Sequence, residues 1–105
     1  MLPNAPLPLI NKLYISGIVC DDILFTNVNG DTIVNFTLES PRSNASKPKN
    51  YFKVKAWQPA SIFAQQHIEA GQRILVEAKL DIHTHDTPEG KKQEHCIVAT
   101  RFCPF

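Results

Sequence analysis

"QPASIFAQQHIEAG", residues 58–71, is the one stretch of this chain that reads as a helix, and its place among strands decides the fold. Pro59 suits a first helical turn, where the missing N–H is no loss. Ala60, Phe63, Ala64 and His67 or Ile68 recur on one face, and Gly71 supplies the stop.

On either side the sequence alternates with a period of two. "KLYISGIVC", residues 12–20, sets Leu13, Ile15, Gly17 and Val19 against Tyr14, Ser16 and Ile18. Gly17 in mid-strand predicts a bulge or a sharp bend, as small barrels need at corners. "DILF" leads into "NVNGD", where Asn29-Gly30 can take the positive φ angles of a tight hairpin turn. Residues 32–39 return as a second long strand. "SPRSNASKPKN", residues 40–50, has no apolar periodicity and two prolines, and reads as a long, mobile, cationic loop.

"YFKVKAW", residues 51–57, is the third strand. Beyond the helix, "QRILVEAKLDIHTH" places Ile74, Val76, Ala78, Leu80 and Ile82 inward against Arg73, Glu77, Lys79 and Asp81. Thr87-Pro88-Glu89-Gly90 has the residues of a reverse turn, and "KQEHCIVATRF" returns as the last strand. An all-β, five-stranded barrel with one short helix between strands three and four is the OB-fold plan. Residues 11–105 are expected to form that single domain. "MLPNAPLPLI", residues 1–10, has three prolines, no basic start and no long apolar run, so it reads as an extended arm and not a signal peptide.

The totals narrow the function. An apolar fraction of 43% over 105 residues suits one globular domain, and no apolar run is long enough for a membrane span. Three cysteines cannot all pair within one chain, and with no export signal they read as reduced thiols in a cytoplasmic protein. A net charge of +1 taken alone argues against a strong nucleic-acid binder. Its distribution says more: no acid lies between Glu39 and Glu69, whereas Arg42, Lys47, Lys49, Lys53 and Lys55 do. A cationic segment in a near-neutral chain is what a confined anion-binding surface requires.

Alternation splits the third strand into Phe52, Val54 and Ala56, suited to a core, and Tyr51, Lys53, Lys55 and Trp57 on the other side. Two aromatics bracketing two lysines suit single-stranded nucleic acid, with bases stacked on rings and phosphates met by ammonium groups. The bland alternative packs Trp57 under the helix or into a subunit interface. The fourth hairpin arm carries His83, His85 and Asp86 within a few residues, which raises a metal site with Asp81, Asp86 or His95 as third ligand. A hairpin tip offers no dry pocket for metal catalysis, so these histidines read better as nucleic-acid contacts that gain charge near pH ~6.5. No cofactor motif and no recognisable catalytic nucleophile is present, and a non-enzymatic binding module is the favoured reading.

Taken in order, "NKLYISGIVC", "NGDTIVNFTLES", "KVKAWQ" and "EAGQRILVEAKL" resemble the OB domain of bacterial single-stranded DNA-binding proteins, and within that superfamily the primosomal replication protein N family. The resemblance covers nearly all of the chain after residue 10. It implies a homodimer that binds single-stranded DNA, with a restart helicase and a helicase-loading factor as partners. On it, Trp57 and Tyr51 match stacking aromatics, Arg42 falls near a basic contact, and Lys91 and Lys92 are the nearest equivalents of a lysine-rich hairpin loop. His83, His85 and Asp86 depart from that pattern, standing where the family carries lysines. The chain ends "CPF" directly after the last strand, with no acid after Glu94, and the missing acidic tail favours the primosomal family over ordinary single-strand binders. Phe102 and Phe105 are then packing or interface residues. A tail-less single-strand binder and a protein-interaction module remain the alternatives, with a His-ligated metalloenzyme more remote.

Overall fold

In the computed structural model, which describes residues 10–40 and 49–105, strands precede and follow a single helix. β1 spans Leu13–Val19, β2 Leu24–Val28, β3 Asp31–Ser40 and β4 Asn50–Ala56; α1 spans Ala60–His67, β5 Arg73–Thr87 and β6 Gly90–Pro104. Most of the arm expected over residues 1–10, and the part of the cationic loop with Arg42 and Lys47, lie outside the described residues.

β1 pairs with β5, β5 with β6, β6 in parallel with β4, and β4 with β3. The end of β1 then pairs with β3, so the sheet closes in a ring. β1 and β2 follow one another along the same edge of β3, with Val19 opposite Leu38 and Leu24 opposite Asn35. They act as one strand broken at residues 20–23, which reconciles six observed strands with the five-strand plan. The helix falls between the third and fourth members of that plan, as the OB fold requires. At the break, the Asp22 carboxylate accepts hydrogen bonds from the Thr37 N–H at 2.9 Å and the Thr37 hydroxyl at 2.6 Å. Those bonds hold the Asp22 carboxyl below the usual carboxylate range.

Gly17, expected at a bulge or a sharp bend, makes no bulge with β5. The β1–β5 register runs unbroken from Leu13 opposite Ala78 to Ile18 opposite Arg73. A Cβ at Gly17 would instead overlap the Glu39 carbonyl oxygen and lie 3.1 Å from Leu38 Cγ. The glycine is needed because β1 presses against β3 where the ring closes. The irregularity lies in the β5–β6 ladder, where Glu77 faces Arg101 but Ala78 faces Ala99, leaving Thr100 as an extra residue on β6.

Inside the ring, Val34, Phe36, Leu38, Val54, Ile74 and Val76 are fully buried, and the Phe36 and Phe102 rings sit 5.8 Å apart. α1 lies against β3 and β6 and buries Ala60 and Ala64, with Ile68 beyond its end. The buried Ser61 hydroxyl donates to the Thr32 carbonyl at 2.7 Å. Of the expected face, Ile68 and not its alternative His67 is buried, and Phe63 turns out to stack on His67 at 4.6 Å on the exposed side. An eight-residue helix on a small ring presents only a narrow strip inward, Ala60, Ser61 and Ala64.

One further expectation is corrected. Leu80 and Ile82 continue the inward alternation of β5 yet are 41% and 52% exposed. β4 meets β6 only at Ile97 and Val98, and β1 meets β5 only up to Ala78, so the rest of the hairpin projects beyond the core. The Asn11 side chain extends that edge by one step, donating to the Leu80 carbonyl at 2.7 Å and accepting from its N–H at 2.9 Å. Phe102 packs in the core, and Phe105, the other expected packing or interface residue, is mostly exposed in the single chain.

Candidate nucleic-acid interface

β4 presents its two faces as the alternation predicts. Val54 and Ala56 are buried and Phe52 half-buried, so Tyr51, Lys53 and Lys55 turn outward, with Trp57 just past the strand end. Tyr51 is 62% and Trp57 44% exposed, which excludes a Trp57 packed under the helix within this chain. The Lys55 ammonium lies 5.3 Å from the centroid of the Trp57 ring, a cation–π contact that holds a charge beside a stacking surface.

Because β4 and β6 pair over only two residues, they fork apart toward Tyr51. The fork forms a groove of about 320 Å³ lined by Asn35, Lys53, Lys55, Glu94, His95 and Cys96. A second groove, of about 260 Å³, lies on the other side of Lys53 and is lined by Asp22, Leu24, Asn35 and Thr37. Lys53 stands between the two, and Asn35 borders both. Neither Asn35 nor Cys96 was singled out in the sequence, because only strand pairing brings them beside Lys53. Lys49 is more committed: its ammonium lies 2.6 Å from the Glu39 carboxylate, which raises its pKa.

The hairpin residues divide between two faces. His83 lies opposite Glu94, His85 opposite Lys92, and Asp86 opposite Lys91. Residues directly opposite share a face, so Lys92 sides with His83 and His85 while Lys91 lies on the reverse. The Lys91/Lys92 pair is therefore split. His83 Nε2 is 3.9 Å from an Asp81 carboxylate oxygen. His95 and Asp86, the other suggested metal ligands, lie on the opposite face from His83. Among the described residues no group of three or more His, Cys, Asp or Glu side chains is placed to hold a metal ion. Cys20, Cys96 and Cys103 are all free and half-buried; Cys20 lies just past β1. Among the described residues no helix is long and apolar enough to cross a membrane.

The sequence from residue 10 to residue 103 matches the model of the single-strand binding protein family. No curated protein matches the sequence. Among solved structures, the small single-stranded DNA-binding protein from Streptomyces coelicolor superposes with a TM-score of 0.69 at 18% identity, over 92% of this chain and 96% of that one. The N-terminal domain of the PriB protein from Thermoanaerobacter tencongensis, described as dimeric, superposes with a TM-score of 0.68 at 23% identity, over 90% of this chain and 96% of that one.

Proposed function

The chain belongs to the single-strand binding protein family, and from that premise we propose that it holds single-stranded DNA along the outer face of β4. One observation carries the reading: Tyr51 and Trp57 are exposed at the two ends of a strand face whose middle is Lys53 and Lys55, beside open grooves. Bases stack on the rings and phosphates meet the lysines, an arrangement tolerant of sequence. Lys49, with Arg42 and Lys47 before it in the sequence, adds positive charge to the contact, and His83, His85 and Lys92 form a second arm on one face of the hairpin, with Lys91 on its reverse. The protein acts by binding and needs no cofactor.

The finer assignment is a cytoplasmic homodimer serving replication restart, with a restart helicase and a helicase-loading factor as partners. The sequence resemblance to the primosomal family supports it, and so does the dimeric PriB domain among the similar folds. A general single-strand binder without a restart role is the second reading, favoured by an equal likeness to the small single-stranded DNA-binding protein.

A salt series with an unstructured oligonucleotide tests the common core of both. Trp57 fluorescence should quench on binding, and affinity should fall steeply as salt rises. Trp57→Ala should cost about 1–3 kcal/mol, roughly five- to 150-fold in affinity. Salt-independent binding, or an unchanged affinity for Trp57→Ala, would sink the stacking role.

A further inference from the structure

A third groove lies past the far end of β4. It has a volume of about 250 Å³ and is lined by Trp57, Gln58, Pro59, Lys79, Val98 and Thr100, among others. We propose that it is a further nucleotide subsite of the same track, with Lys79 as its phosphate contact; this rests on the single-strand binding reading above.

Strand register places Lys79 where sequence distance hides it. Asn35 is opposite Lys55, Lys55 is opposite Val98, and Val98 is opposite Lys79. Lys55 and Lys79 therefore flank one β6 residue on the outer face, two strand spacings or about 10 Å apart. Between them, the nearly buried Val98 makes an apolar floor on which a base or a deoxyribose can lie. The Trp57 ring, with the Lys55 ammonium beside it, stands on one side. The bulge shapes the other: the extra residue Thr100 turns its hydroxyl to donate to the Glu77 carbonyl at 3.1 Å.

The charges around the groove select this row over its neighbours. Toward the hairpin tip, the next positions of the outer face carry Asp81, opposite Cys96, and Glu94, opposite His83. A polyanion passing Trp57 toward β5 meets Lys79 before it reaches those carboxylates, and the next lysine of that face, Lys92, lies beyond them opposite His85. On the other side the nearest carboxylate, Glu77, is already held by the Tyr14 hydroxyl at 2.9 Å and by Lys12 at 3.4 Å. Lys79 is exposed and takes part in none of the ion pairs found among the described residues.

The experiment is a salt series of binding to an oligothymidylate, read by fluorescence anisotropy, for wild type, Lys79→Ala, Lys79→Arg and Arg73→Ala. Arg73, at the start of β5, carries the same charge well away from the groove. Lys79→Ala should flatten the slope of log K against log salt by about 0.7, the value for one phosphate on a single strand. It should weaken binding roughly three- to tenfold at low salt, with an unchanged melting temperature. Lys79→Arg should keep the wild-type slope, and Arg73→Ala should lose less than Lys79→Ala. If wild type binds with a steep slope but Lys79→Ala matches it, or loses no more than Arg73→Ala, the subsite is overturned and the β4 reading stands. Failure of wild type to bind at all overturns both.

Discussion

Single side chains bear on two separate matters, the proposed hold on DNA and the joining of the ring. Trp57 and Lys55 form one unit, the ammonium lying 5.3 Å from the centroid of the ring on which a base is proposed to stack. Gly17 and Asp22 serve the joint between β1, β2 and β3. Gly17→Ala should destabilise by about 1–3 kcal/mol, because the new methyl meets backbone at Glu39 and not a flexible side-chain tip. Urea unfolding measures it, and a variant as stable as wild type would refute the close approach. Asp22 carries a pH signature. Its folded pKa is lowered by its bonds to Thr37, so its stabilisation is present above the ordinary carboxylate value and fades as pH falls through the folded one. Asp22→Ala should therefore melt earlier than wild type at neutral pH, with the gap closing below about pH 4. A gap independent of pH would mean that Asp22 acts through packing alone.

At the scale of elements, the long hairpin shows where pattern and environment part. The alternation of β5 is continuous from Ile74 to Ile82, but burial stops at Ala78. Alternation reports which side of a strand a residue takes, and it cannot report whether another layer covers that side. Ile74→Ala should cost about 2–5 kcal/mol, as for a full core truncation. Ile82→Ala should stay within about 0.5 kcal/mol. Equal losses in thermal unfolding would place the hairpin in the core after all. The helix shows the same limit, since spacing identified Ala60 and Ala64 and offered His67 or Ile68, of which Ile68 is buried, but not that Phe63 would face away. The lysine pair at the hairpin was split for a related reason: adjacent residues of a strand take opposite faces.

At the scale of the whole molecule, the ring leaves exposed apolar groups on β1, Tyr14 and Ile18, outside its closed core. A homodimer, as proposed, should sediment at twice the chain mass at micromolar concentration, with oligonucleotide binding scaling per dimer. A single-chain mass across the accessible range would overturn it. By itself, the sequence determined the strands, both hairpin turns, the helix and the aromatic–lysine face of β4, because each is written in spacings of a few residues. Only the tertiary structure decided why Gly17 is a glycine, where the core ends along β5, and that Asn35, Lys55, Val98 and Lys79 form one row. Those depend on pairing between strands distant in sequence, and register across a closed ring is set by the packing of all its members together.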